Sequence, residues 1–128
     1  MKAPLAALTG LALAAVVACF SDRTSGPVVS LAACRVPVTV IDSMHYLVAI
    51  RDFAFHPDSL AVPVGATVTW VNCEPPATDA HSSTSDAPAW DSGLFQSGAR
   101  FSRTFPSGGT FPYHCSVHTY MMAKVVVQ

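Results

Sequence analysis

Charge is scarce in this sequence. Only 12% of its 128 residues are Asp, Glu, Lys or Arg, and the formal net charge is -1. That balance supplies no basic face, so a nucleic-acid partner is not expected. Helical periodicity is missing after the first residues, and no segment repeats. Cysteine is limited to four residues, and no two of them stand close enough to form a paired-thiol metal motif. A chain of this length makes one domain at most, plus whatever its N-terminus adds.

The N-terminus reads as an export signal. Lys2 gives a positive start, and Leu5 to Val17 is an apolar run too short to span a bilayer comfortably. The run closes on Val16-Val17-Ala18-Cys19, which resembles the lipobox of bacterial lipoproteins. In those, cleavage leaves the cysteine first and lipid-modified. The expected organisation is therefore a signal peptide over 1–18, a flexible tether over 19–33 and a folded domain over 34–128. A lipidated Cys19 would tie the protein to a membrane without a spanning helix. Ordinary cleavage after Ala18 is the plainer alternative. Both readings place the protein outside the cytoplasm, in the periplasm or cell envelope.

With Cys19 set aside, Cys34, Cys73 and Cys115 remain. An oxidising compartment favours pairing, and an odd count leaves one thiol over. Pairing Cys34 with Cys73 would leave Cys115 free, and Cys115 is the one with ligand-like neighbours. The arithmetic leaves the connectivity open.

Past the tether the pattern is β. Val36, Val38 and Val40 alternate, and Tyr46 to Phe55 reads as one apolar strand. Leu60, Val62 and Val64 repeat at period two, with Pro63 suggesting a sheet edge. Thr67 to Asn72 is a strong strand, and 74–92 is a long Pro, Ser, Thr and Asp segment. Alternation returns at Arg100 to Phe105, then at Thr110 to Cys115 and Met122 to Val127. Short strands at regular spacing predict an all-β sandwich or barrel.

Chemistry concentrates near the C-terminus, in Tyr113-His114-Cys115-Ser116-Val117-His118-Thr119-Tyr120-Met121-Met122. At the end of a strand, period two sends Tyr113 and Cys115 to one face and His114 to the other. The loop beyond can turn His118 back towards Cys115 and bring up Met121. A thiolate, two imidazoles and a weak thioether are the ligands of a blue-copper electron-transfer site. The second imidazole must be remote, and His81 is placed for it. His45 and His56 are weaker choices; His56 sits in a His-Pro turn, where a solvated side chain is expected.

These residues resemble the cupredoxins, within them the amicyanin and plastocyanin group. The likeness runs over roughly 46 to 127, through Asp52-Phe53-Ala54-Phe55, Val62-Pro63-Val64-Gly65, Thr67-Val68-Thr69-Trp70-Val71-Asn72, Gly108-Gly109-Thr110-Phe111 and the ligand loop. The resemblance implies a Greek-key β-sandwich of about eight strands binding one copper. It implies His81, Cys115 and His118 as equatorial ligands, with Met121 rather than Met122 as the axial one. It also implies an outer-shell role for Asn72, tying the His81 segment to the Cys115 loop, here through Ser116. Cys73 departs from the family pattern, and a Cys34–Cys73 disulfide would staple the first strand to the one leading into the site.

The expected function is a small monomeric carrier of single electrons, docking its redox partners near His118. Enzymatic activity is not expected, because a catalytic copper would need further histidines. A copper store or chaperone is the alternative, although those favour Met-rich or multi-Cys sites. Zinc also suits one Cys and two His.

Overall fold

The computed structural model describes residues 34–35 and 39–128. The signal and tether readings, with Cys19, lie outside the described residues. So do Val36 and Val38; of that alternating run, Val40 forms an isolated bridge to Tyr46.

Eight strands follow in order: β1 His45–Arg51, β2 Ala54–His56, β3 Ser59–Val62, β4 Thr67–Asn72, β5 Thr84–Ser85, β6 Arg100–Thr104, β7 Gly109–His114 and β8 Met122–Val127. They form two four-stranded sheets, ordered β2-β1-β4-β6 and β3-β8-β7-β5. The pairs β1–β4 and β3–β8 are parallel, and the other neighbours are antiparallel. Parallel neighbours need crossover connections, and the two sheets make the sandwich expected from the strand spacing, with the eight strands that the resemblance implies.

The burial of each strand follows from its place. β4 lies inside its sheet, and every residue from Val68 to Asn72 is buried. Its β-branched and aromatic side chains suit a sheet covered on both faces. β6 is an edge strand and shows Arg100, Ser102 and Thr104 to solvent. β3 is an edge as well, and Pro63 follows it where no ladder donor is required. Trp70 anchors the core with no exposed surface, against Trp90, Phe101 and Tyr113 at ring separations of 5.9, 5.8 and 5.4 Å. Each large apolar side chain buried this way contributes roughly 1.5–3 kcal/mol.

The expected single strand from Tyr46 to Phe55 is in fact a hairpin. β1 pairs with β2 in the register Arg51↔Ala54, so Asp52 and Phe53 form a two-residue loop. Both have positive φ, 52° and 53°, as a type I′ turn requires. The usual Asn-Gly signal is missing, so the run reads as continuous. A non-glycine residue held there costs on the order of 1–2 kcal/mol, so something must hold Phe53 in place. The 74–92 segment also has more structure than its composition suggests: it contains β5 and bridges from His81 to Phe95 and from Thr84 to Asp91.

Candidate metal centre

Cys115 follows the last residue of β7. Tyr113 and Cys115 are both buried, at 1% and 0% exposure. His114, on the opposite face, is half-buried against Asp86, with Nδ1 2.6 Å from Oδ1. The alternation along β7 thus aims the thiol inwards and sends the adjacent imidazole elsewhere.

The ligand loop then folds back on itself. Met121 N–H donates to His118 O at 2.8 Å, and Cys115 N–H donates to Met121 O at 3.1 Å. These two bonds bring His118 beside Cys115 and bury Met121, while Met122 starts β8 facing solvent.

His81 arrives from the other sheet connection. It exchanges both backbone hydrogen bonds with Phe95, at 3.2 and 2.8 Å, and has no exposed surface. His81 Nδ1 lies 3.8 Å from Cys115 Sγ, and His118 Nδ1 lies 3.7 Å from it. The three donor atoms lie within 4.8 Å of one another. Bonds of about 2.0–2.1 Å to nitrogen and about 2.3 Å to sulfur match the two sulfur–nitrogen separations when the donors sit at trigonal angles around one ion. His45 and His56 are not part of the cluster. His45 Nδ1 faces Asp42 at 2.8 Å. His56 is not the solvated turn residue expected of a His-Pro pair: its Nε2 is buried without a hydrogen-bond partner.

The electrostatics suit a metal. Burial, and next the facing His118, push the His81 imidazole below its ordinary range, against the opposing pull of Glu74 and Asp79. A neutral imidazole is the form that ligates. His81 turns Nε2 towards Glu74 Oε1 at 3.6 Å, which favours the tautomer with its Nδ1 lone pair facing Cys115. His118 Nε2 faces Asp79 Oδ2 at 3.4 Å in the same way.

The outer shell differs from the expectation in one respect. Asn72 does not reach Ser116. Its Nδ2 donates to Phe95 O at 3.0 Å and its Oδ1 accepts from Glu74 N–H at 3.1 Å. It therefore steadies His81 through the Phe95 bridge. The tie to the Cys115 loop is Ser82, whose Oγ accepts Ser116 N–H at 2.8 Å and donates to Ser116 Oγ at 3.0 Å. Ser82 sits directly after His81, so a short side chain can bridge there, whereas Asn72 is already engaged. Cys34 and Cys73 are joined in a disulfide, and among the described residues Cys115 is the free cysteine.

Comparison with known proteins decides the family. Residues 43–128 match the model of the copper-binding proteins, plastocyanin/azurin family. The chain belongs to that family. It is 33% identical to amicyanin of Paracoccus denitrificans over 84 residues, which spans 64% of this chain and 64% of that protein. The chain thus spans less than two thirds of that relative's length. Among solved structures, a purple cupredoxin from Nitrosopumilus maritimus is 27% identical with a TM-score of 0.58, covering 64% of this chain and 98% of its own. A reduced Cu(I) amicyanin variant is 30% identical with a TM-score of 0.58, covering 70% and 86%. A copper-containing nitrite reductase from Thermus scotoductus is 26% identical with the same TM-score, but only 22% of its chain is covered. This family binds copper, and His81, Cys115 and His118 are the group that fits it here.

Proposed function

We propose that this protein is an exported carrier of single electrons built on one copper held by His81, Cys115 and His118, with Met121 as a long axial ligand. The observation that carries the reading is the convergence of a buried thiol and two imidazole Nδ1 atoms within 4.8 Å in a sandwich of this family. Bound copper supplies the redox couple, Cu(I)/Cu(II). The chain's own residues supply rigidity and access. His81 and Cys115 are fully buried and held separately, His81 by its backbone bridge to Phe95 and Cys115 at the end of β7, so the donor set would change little between oxidation states. Met121, 2% exposed, supports the axial assignment over Met122.

Electrons would leave through the His118 edge, which is 16% exposed. Tyr120 stands beside it at a ring separation of 6.1 Å, Val117 and Met122 are exposed nearby in the chain, and a redox partner would dock on these apolar residues. Weak electron-transfer encounters need little area. Residues 1–18 would direct export, and Cys19, at the head of a tether, would carry the lipid anchor. On this reading the domain would act as a monomer and a carrier rather than an enzyme; the match to the nitrite reductase covers only 22% of that chain.

The test is the visible spectrum of the copper-loaded, oxidised full chain beside Cys115→Ala. An intense thiolate-dependent band that vanishes in the variant supports the carrier. Stoichiometric copper without such a band sinks it.

A further inference from the structure

Glu74 is a buried carboxylate outside the donor group, with a side chain only 4% exposed. A charge taken out of water needs partners, and Glu74 has two. Its Oε1 accepts the backbone N–H of Phe53 at 2.7 Å and faces His81 Nε2 at 3.6 Å. The Phe53 N–H belongs to the second residue of the β1–β2 turn, where φ is +53°. The bond therefore falls on a backbone that a phenylalanine does not adopt unaided.

What the turn presents is the phenyl ring. Phe53 meets His81 edge to face at 5.3 Å and 84°, and meets His118 at 5.1 Å and 89°. One ring in one position bears on both imidazoles. Phe53 also lines a cavity of about 540 Å³, shared with Phe55, His56, Tyr120, Met121 and Met122. The ring that meets both imidazoles is thus also part of the cavity wall, as is the buried Met121. Glu74 itself is anchored: its N–H donates to Asn72 Oδ1, its carbonyl accepts from Ser97 Oγ, and the preceding Cys73 is disulfide-bonded to Cys34.

We propose that Phe53 is a positioning residue for both imidazole ligands, and that Glu74 is the latch that keeps it there. The inference rests on the copper-carrier reading and deepens it. Glu74 holds the left-handed turn, the turn holds the ring, and the ring fixes two imidazoles and closes the cavity towards the metal. Every link in this arrangement is a contact between the protein's own residues, so it can be tested in the metal-free chain.

The experiment compares the full chain with Glu74→Gln, Glu74→Ala, Phe53→Leu and the Glu74→Ala/Phe53→Leu pair. In the metal-free protein, proton NMR should show contacts from the Phe53 ring to both imidazoles. Glu74→Gln, which keeps an acceptor for the Phe53 N–H, should retain them, and Glu74→Ala should lose them while the remaining core contacts persist. In the copper-loaded protein, Glu74→Ala and Phe53→Leu should each release copper about 10–100-fold faster. The pair should release it no faster than the faster single variant, because both act through one ring. Added azide should perturb the oxidised spectrum of Glu74→Ala and leave that of the parent unchanged. Intact ring–imidazole contacts in Glu74→Ala, Glu74→Gln behaving like Glu74→Ala, or release rates that multiply in the pair would each overturn the latch. The metal-free readout does not depend on the copper reading, so a parent protein without its thiolate band fails that reading alone.

Discussion

The backbone N–H of Ser82 donates to Cys115 Sγ at 3.4 Å. The residue that follows His81 thus bonds the sulfur of Cys115, and its side chain clasps the loop after that sulfur through Ser116. Hydrogen bonds to sulfur are one of the levers on a copper–thiolate potential. In Ser82→Ala the N–H to sulfur survives and the clasp is lost. The expected outcome is a retained thiolate band, a shifted midpoint potential and a stability loss of about 0.5–1.5 kcal/mol. Redox titration and denaturant unfolding check both.

The axial assignment is separable by two substitutions. Met121 is buried beside the donors, whereas Met122 is 69% exposed at the start of β8. Met121→Gln should move the potential and the visible spectrum. Met122→Gln should leave both unchanged and alter only docking to a redox partner. Equal spectral shifts in the two variants would reject the assignment.

The Cys34–Cys73 disulfide closes a separation of 39 residues. A loop of that length corresponds to about 4 kcal/mol in the chain-entropy account. Cys34→Ser/Cys73→Ser should lose about 2–4 kcal/mol in urea unfolding, and the metal-free form should lose it as fully as the loaded form. A loss confined to the loaded form would show that the staple serves the metal rather than the chain.

The pH response of the metal-free protein has a defined sign. His81 is held below the ordinary imidazole value of 6.5 by burial first and by His118 next. The unfolded chain then binds more protons than the folded one between those two values, so stability rises with pH there. Stability should be full above about 6.5 and fall as the pH drops from that value towards the lowered one. His81→Gln should remove this part of the slope. Differential scanning calorimetry across pH 5 to 8 reads it.

The grouping of Cys115 with His118 was legible in the sequence because strand geometry and loop spacing act locally. Period two along β7 is enough to separate Cys115 from His114, and the short loop returns His118 and Met121. The remote His81 was expected from the family resemblance and from its place after β4, and it does join the cluster. The β1–β2 hairpin was hidden, since a positive-φ turn made of Asp52 and Phe53 carries no glycine to mark it. What permits it is Glu74, a residue far along the chain, and no local pattern reports such a partner. Ser82 was missed for a related reason. A serine beside a ligand has no signature of its own, and its role follows only from the approach of the Cys115 loop. The buried nitrogen of His56 likewise depends on packing across the β2–β3 turn.

The parallel pairing of β8 with β3 joins the donor loop to a distant part of the chain. β7, the Cys115–Met121 loop and β8 form a local hairpin, and β8 pairs on its other side with β3. His81 stands on the separate connection between β4 and β5. The three donors thus come together only through contacts of long sequence separation, which form slowly, so complete metal binding is expected to follow folding rather than to nucleate it.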